Sequence, residues 1–176
     1  ALAVKFQSQG SLTLEGSIDG SLDTAELVLD VADPQAHVAG TLGQLLSTPV
    51  WDLRANSPSL QLPPSSQDPA ATLTEVQAHT SGEWPQFNLD LAADLDIPGF
   101  EPSQFTVSGS GTSHDFTAQK LTLQGPEFSL DGAGTLSWED TLRLALDANV
   151  ARLDLRTWIP EWPENQPVNG QFAVSW

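Results

Sequence analysis

The sequence predicts an all-β fold, an extended and mostly antiparallel sheet. Three observations predict it: apolar and polar residues alternate with period two along most of the chain, helical periodicity is nearly absent, and the sequence repeats itself about once per half. Leu22-Asp23-Thr24-Ala25-Glu26-Leu27-Val28-Leu29 returns as Phe116-Thr117-Ala118-Gln119-Lys120-Leu121-Thr122-Leu123, and Ala39-Gly40-Thr41-Leu42 returns as Ala133-Gly134-Thr135-Leu136, both offset by 94. Leu53-Arg54-Ala55-Asn56 then aligns with Leu146-Asp147-Ala148-Asn149 at an offset of 93, which a single-residue deletion explains. Duplicated strand ladders build extended sheets.

Taken in order, strands are predicted over residues 2–6, 12–18 and 25–31. In the last of these, Ala25, Leu27, Leu29 and Val31 share one face, while Glu26 and Asp30 point the other way across the pleat. Strands over 37–42, 50–55 and 73–79 follow. Phe87, Leu89, Leu91, Ala93, Leu95 and Ile97 then form a second apolar row, opposed by Asn88, Asp90, Asp94 and Asp96. Further strands are expected over 105–110, 116–123 and 128–138. A third row comprises Leu142, Leu144, Leu146, Ala148 and Val150, opposed by Arg143, Asp147 and Asn149, and the end of the chain, 171–176, is strand-like. Turn signals such as Asp19-Gly20, Asp33-Pro34, Pro98-Gly99 and Gly125-Pro126 separate the strands. Such short connections favour an antiparallel meander with one dry and one acidic wet face.

Two segments break the pattern. Residues 58–70 hold Pro58, Pro63, Pro64 and Pro69 with Ser65 and Ser66, and read as a loop, spanning about 57–71, between two related repeats at about 10–62 and 104–155. Near 154–159, Asp154 can cap a short helical turn that Pro160 stops. The 176 residues are expected to form one β segment; starting at Ala1 with no Met and ending inside a strand-like stretch, they read as the interior of a longer protein.

Lys and Arg total 6 against 23 Asp and Glu, a formal charge of −17. A nucleic-acid backbone would be repelled rather than neutralised by such a surface, and so would anionic lipid headgroups, although an apolar interior could still hold acyl chains. No run approaches the roughly 18 apolar residues of a spanning helix. The absence of Cys excludes disulfides, thiolate catalysis and Cys-ligated metals.

Chemistry-bearing residues do not converge in the sequence. His37, His79 and His114 fall on or beside different strands and read as exposed strand residues rather than metal ligands. Ser113-His114-Asp115 contains the residue types of a triad, but sequence neighbours at a turn cannot form its aligned hydrogen-bonded chain, and no Gly-x-Ser-x-Gly elbow is present. Asp90, Asp94 and Asp96 lack the further ligands and distal Glu of a calcium loop and read as solubilising charge. No catalytic residue, metal or cofactor is therefore predicted. The candidate site is the apolar rows themselves. Leu27, Leu29, Phe87, Leu89, Leu91, Leu95, Phe105, Val107, Leu121, Leu123, Phe128, Leu130, Leu136, Leu142, Leu144 and Leu146 are the expected lining of a continuous trough, if the sheet curls without closing. The alternative is the ordinary core of a sandwich.

The stretch 116–123, then Leu130-Asp131-Gly132-Ala133-Gly134-Thr135-Leu136-Ser137-Trp138, then Trp158-Ile159-Pro160-Glu161-Trp162-Pro163 and Val168-Asn169-Gly170-Gln171 resembles the TamB family, within the AsmA-like superfamily of bridge-like lipid transporters. The resemblance runs through most of 72–176 and more loosely through the first repeat. It implies a curved, taco-like sheet with an apolar groove, in a protein anchored in the inner membrane of a diderm bacterium and crossing the periplasm. It further implies a TamA-like outer-membrane barrel as partner, a role in outer-membrane protein and autotransporter assembly, and movement of phospholipid acyl chains between membranes without enzymatic activity. A chaperone-like scaffold that binds unfolded outer-membrane strands by β-augmentation is the competing expectation. A carbohydrate-binding module, suggested by Trp51, Trp84, Trp138, Trp158, Trp162 and Trp176, is a third.

Overall fold

A computed structural model describes residues 2–3, 14–62, 70–99, 101–139, 141–154, 156, 161, 163 and 166–175. Among the described residues, twelve strands form one sheet in strict chain order: β1 Leu2–Ala3, β2 Leu14–Gly20, β3 Thr24–Ala32, β4 Gln35–Gly43, β5 Val50–Leu62, β6 Ala71–Glu83, β7 Gln86–Asp96, β8 Ser103–Gly111, β9 Asp115–Gln124, β10 Ser129–Ser137, β11 Arg143–Leu153 and β12 Val168–Ser175. Every neighbouring pair is antiparallel. The fold is thus the all-β meander that the alternation predicts, an open sheet whose first and last strands do not meet. Eleven interstrand steps of about 4.8 Å make it about 53 Å long.

Among the described residues, the buried apolar side chains share one face. Ala25, Leu27, Val76, Ala93, Ala118 and Ala148 are the buried apolar residues, and the strand registers place them all on the same side of the sheet. Four of the six are alanines, sheltered because their larger neighbours lean over them. Among the described residues no large side chain is fully buried. A second layer of structure would have buried them. The chain exposes 11765 Å², whereas a compact chain of this mass exposes about 8,300 Å².

The predicted loop over 58–70 is shorter than expected. β5 continues through Pro58 to Leu62 and β6 begins at Ala71, so the connection is 63–70, of which 63–69 lie outside the described residues. Pro58 is tolerated because the strand changes facing there. Ala55 and Ser57 lie on the apolar face by pairing with Ala78 and Val76, yet Leu60, three residues on from Ser57, faces the same way through Leu73 and Leu95. β6 makes the matching step at Glu75, whose φ of 51° is left-handed, and a register shift between Thr74 and Gln77 records it. Ser57 pins the step: its buried Oγ donates to the Gln35 carbonyl at 2.6 Å and lies 3.1 Å from that of Ser59. Ser57→Ala is expected to cost about 1–2 kcal/mol in urea unfolding, because the bond from the buried Ser57 hydroxyl to the Gln35 carbonyl is lost.

Of the predicted helical turn over 154–159, Leu155 and residues 157–159 lie outside the described residues. What is described fits a cap, since the Arg156 N–H donates to Asp154 Oδ1 at 2.9 Å. The hydrogen bonds from the Arg156 side chain and backbone hold the exposed Asp154 carboxyl below its ordinary range.

The sequence repeat has a structural counterpart. β3, β4 and β5 correspond to β9, β10 and β11, and the second hairpin of each set keeps one register: Gly40 faces Leu53 as Gly134 faces Leu146, and Leu42 faces Trp51 as Leu136 faces Leu144. The one-residue deletion falls in the loop between them, residues 44–49 in the first copy and 138–142 in the second. The first hairpins differ. β9 carries a bulge at Gln119-Lys120 that shifts its pairing with both β8 and β10, whereas β3 runs straight.

Candidate functional site: an uncovered apolar face

The registers turn the predicted rows along single strands into rows across the sheet. One begins at Leu29 on β3 and passes through Val38, Ala55, Ala78, Leu91, Val107, Leu121, Gly132 and Ala148 to Phe172 on β12. A second passes from Leu27 through Gly40, Leu53, Thr80, Leu89, Gly109, Ala118, Gly134 and Leu146 to Val174. Phe105, Leu123, Leu130 and Val150 form a third, with Leu95 one row beyond.

Nearest one end of the strands, the row alternates aromatic residues with glycines: Trp51, Gly82, Phe87, Gly111 and Phe116, followed by Leu136 and Leu144. The glycines make room for the rings. Phe87 and Phe116 flank Gly111 and lean over it until their rings stack, centroids 6.0 Å apart and planes within 6°. A Cβ on Gly111 would stand 2.7 Å from Phe87 Cζ. The stacked pair adds about 0.5–1.5 kcal/mol beyond its area burial. Trp51 directs its indole N–H to Thr80 Oγ1 at 3.2 Å, so its polar atom is satisfied without leaving the face.

Of the predicted lining, Leu27 is buried and Leu29, Phe87, Leu89, Leu91, Leu95, Phe105, Val107, Leu121, Leu123, Leu130, Leu136 and Leu146 are half-buried. Phe128 is half-buried in the β9–β10 turn, its ring against Gly125. Leu144 is exposed on the same face, and Leu142, expected to open the β11 row, sits in the preceding turn and is 54% exposed. The face also includes residues that the sequence reading left out: Ile18, Val38, Leu42, Trp51, Leu53, Phe172 and Val174. Their signal was present in the repeat, since Leu42 and Leu53 are the counterparts of Leu136 and Leu146.

The opposite face is mainly polar, with Val28, Val50 and Ala92 among its charged and hydroxyl residues. His37 Nδ1 lies 2.7 Å from Asp30 Oδ1, and His79 Nε2 lies 3.1 Å from Asp52 Oδ1, each an exposed cross-strand pair. A shallow depression of about 470 Å³ there is lined by Arg54, His79, Asp90, Ser108 and Lys120 among others. Asp90 separates its cations, and no group of three ligand-type residues converges among the described residues. At the β8–β9 turn, Ser113 Oγ is 2.9 Å from His114 Nδ1, but Asp115 accepts from Thr112 Oγ1 at 3.0 Å, so the three residues form no relay.

Among the described residues, no helix is long and apolar enough to cross a membrane. Comparison with curated proteins and with solved structures returns no match. The sequence profile described as TamB, N-terminal domain, matches residues 2–175. An open antiparallel sheet, apolar on one face and matched over nearly its whole length by that profile, places this chain in the TamB N-terminal domain family.

Proposed function

We propose that the chain is a non-enzymatic segment of a bridge in the periplasm, whose apolar face carries phospholipid acyl chains between inner and outer membrane. One observation carries this reading: the large apolar side chains of the described strands share a single face, Val28 and Val50 excepted, and none of them is fully buried. Each methylene removed from water is worth roughly 0.8 kcal/mol, so a chain of about 16 carbons costs on the order of 12 kcal/mol to expose. A path through an aqueous gap needs an uninterrupted dry surface, and the cross-strand rows supply one. The net charge of −17 keeps such an open surface soluble. Anchoring in the inner membrane, contact with a TamA-like barrel and support of autotransporter assembly belong to the longer protein that the family implies.

Organic extraction of the purified chain should release phospholipid in near-stoichiometric amount. Recovery of lipid-free protein with its apolar face closed against itself would refute the reading. A second reading, a scaffold for unfolded outer-membrane strands, is favoured by β12, which pairs on one side only among the described residues and exposes Phe172 and Val174. Photo-cross-linking from β12 to nascent barrel protein, with none to lipid from the apolar face, would favour it instead.

A further inference from the structure

Successive turns of a meander alternate between the two ends of its strands, giving the sheet two rims. One rim consists of residues 21–23, 44–49, 84–85, 112–114 and 138–142. Leu22, Leu46, Trp84, Trp138 and Leu142 all lie on it, 40–82% exposed. On the described turns of the other rim the large apolar residues, Ile97 and Phe128, are half-buried among prolines and acids such as Pro34, Glu101, Pro102 and Glu127.

The apolar rim is also braced from turn to turn. The Leu45 N–H donates to the Leu22 carbonyl at 2.9 Å, the Trp84 N–H to Pro49 at 2.9 Å and the Trp138 N–H to His114 at 2.9 Å. The Trp138 indole lies over the neighbouring turn, donating to the Ser113 carbonyl at 2.8 Å. On the other rim, the turn bond among the described residues closes one turn on itself, from the Gly125 N–H to Phe128.

Each rim tryptophan has a carboxylate beside it in sequence, Glu83 next to Trp84 and Glu139 next to Trp138, and Asp23 and Asp115 add further negative charge against Arg143. An exposed tryptophan with a carboxylate next to it in the chain offers an ammonium group both cation–π attraction and opposite charge. A tryptophan with an apolar body and a polar N–H also suits the junction between acyl chain and headgroup. The aromatic-glycine row of Trp51, Phe87 and Phe116 lies next to this rim, so the dry surface runs without a break from face to rim.

We infer that this rim seats the ammonium-bearing headgroup of a zwitterionic phospholipid, whose tails lie along the strands on the apolar face. The inference rests on the acyl-chain reading above and adds to it an orientation and a headgroup preference. A phosphatidylglycerol headgroup has no ammonium and brings a net negative charge to an acidic rim, so the rim discriminates against it.

The test equilibrates the chain with vesicles of equal phosphatidylethanolamine and phosphatidylglycerol carrying identical tails, then quantifies bound lipid by mass spectrometry. Phosphatidylethanolamine should be enriched about threefold to thirtyfold, the range that an exposed cation–π contact and a surface charge pair give together. Trp84→Leu with Trp138→Leu should bring the ratio towards one while total lipid stays unchanged. Glu83→Lys with Glu139→Lys should reverse it, and these surface substitutions keep the measurement valid if the tryptophan variant fails to fold. Equal binding of the two lipids by the unaltered chain would overturn the headgroup inference and leave the acyl-chain reading standing. Binding of neither lipid would overturn both.

Discussion

Leu91→Arg should reduce bound phospholipid at least tenfold while leaving the sheet formed. Leu91 sits mid-sheet, paired with Ala78 on one side and Val107 on the other, in the row that runs from Leu29 to Phe172. Its side chain is half-buried, so the substitution does not force a charge into a packed core. The guanidinium would instead stand on the surface where acyl chains lie, and a chain crossing it would leave a charge desolvated without a partner, at a cost of several kcal/mol. Far-UV circular dichroism should be unchanged, and the melting temperature should move by no more than about 4 °C. Asp90→Arg supplies the control. It places the same group one residue away on the polar face, and lipid content should match that of the unaltered chain. If Leu91→Arg retained lipid as Asp90→Arg does, the apolar face would not be the path.

A large effect on folding is expected at Gly109. This residue is buried on β8 between Leu89 and Ala118, beside the bulge that Gln119-Lys120 creates in β9. A Cβ there would stand 2.1 Å from the Thr117 carbonyl oxygen and 2.8 Å from Phe116 Cζ. The ring can move, but the carbonyl belongs to the neighbouring strand and cannot withdraw without loosening the β8–β9 ladder. Gly109→Val should therefore lose about 3 kcal/mol or more in urea unfolding. Adding Phe116→Ala should recover only a fraction, because it relieves the ring and leaves the backbone contact. A Gly109→Val chain within about 0.5 kcal/mol of the parent would show that the close approach between β8 and β9 is not fixed by this glycine.

Much of this architecture was readable before any coordinates. In Ala25 to Val31 or Phe87 to Leu95 every second residue is apolar, and all but Val28 and Ala92 of those between are polar, so such a strand has few other ways to face. The meander followed because the turn signals leave little room for crossovers. The points where facing changes were harder to read, although each leaves a mark: Thr74-Glu75 and Gln119-Lys120 are pairs of consecutive polar residues between apolar positions three apart. Simple parity treats them as faults in a row, whereas the sheet uses them to keep Leu73 and Val76, or Ala118 and Leu121, on one face. Pro58 misled for a related reason, since a proline inside a strand signals a loop unless a change of facing removes the need for its N–H. The joining of Leu29, Leu91 and Leu121 into one row depends on registers between strands far apart in the chain, which no local pattern contains. Leu142 was assigned to a strand row and the rim as a whole was missed, because turns were read as punctuation and not as surface.

The preserved pairing of the second hairpin in each repeat, with the length difference confined to its loop, has a consequence for how such a sheet can be edited. Inserting or deleting one strand would send every later turn to the opposite end, moving Trp84 and Trp138 away from Leu22 and Leu46. A pair of strands leaves both sidedness and facing intact. The hairpin is therefore the smallest interchangeable part, and the six-strand interval separating the two copies is three such parts, advancing the sheet by about 29 Å. Chimeras that exchange β4–β5 for β10–β11 should assemble, and chimeras cut at an odd strand should not.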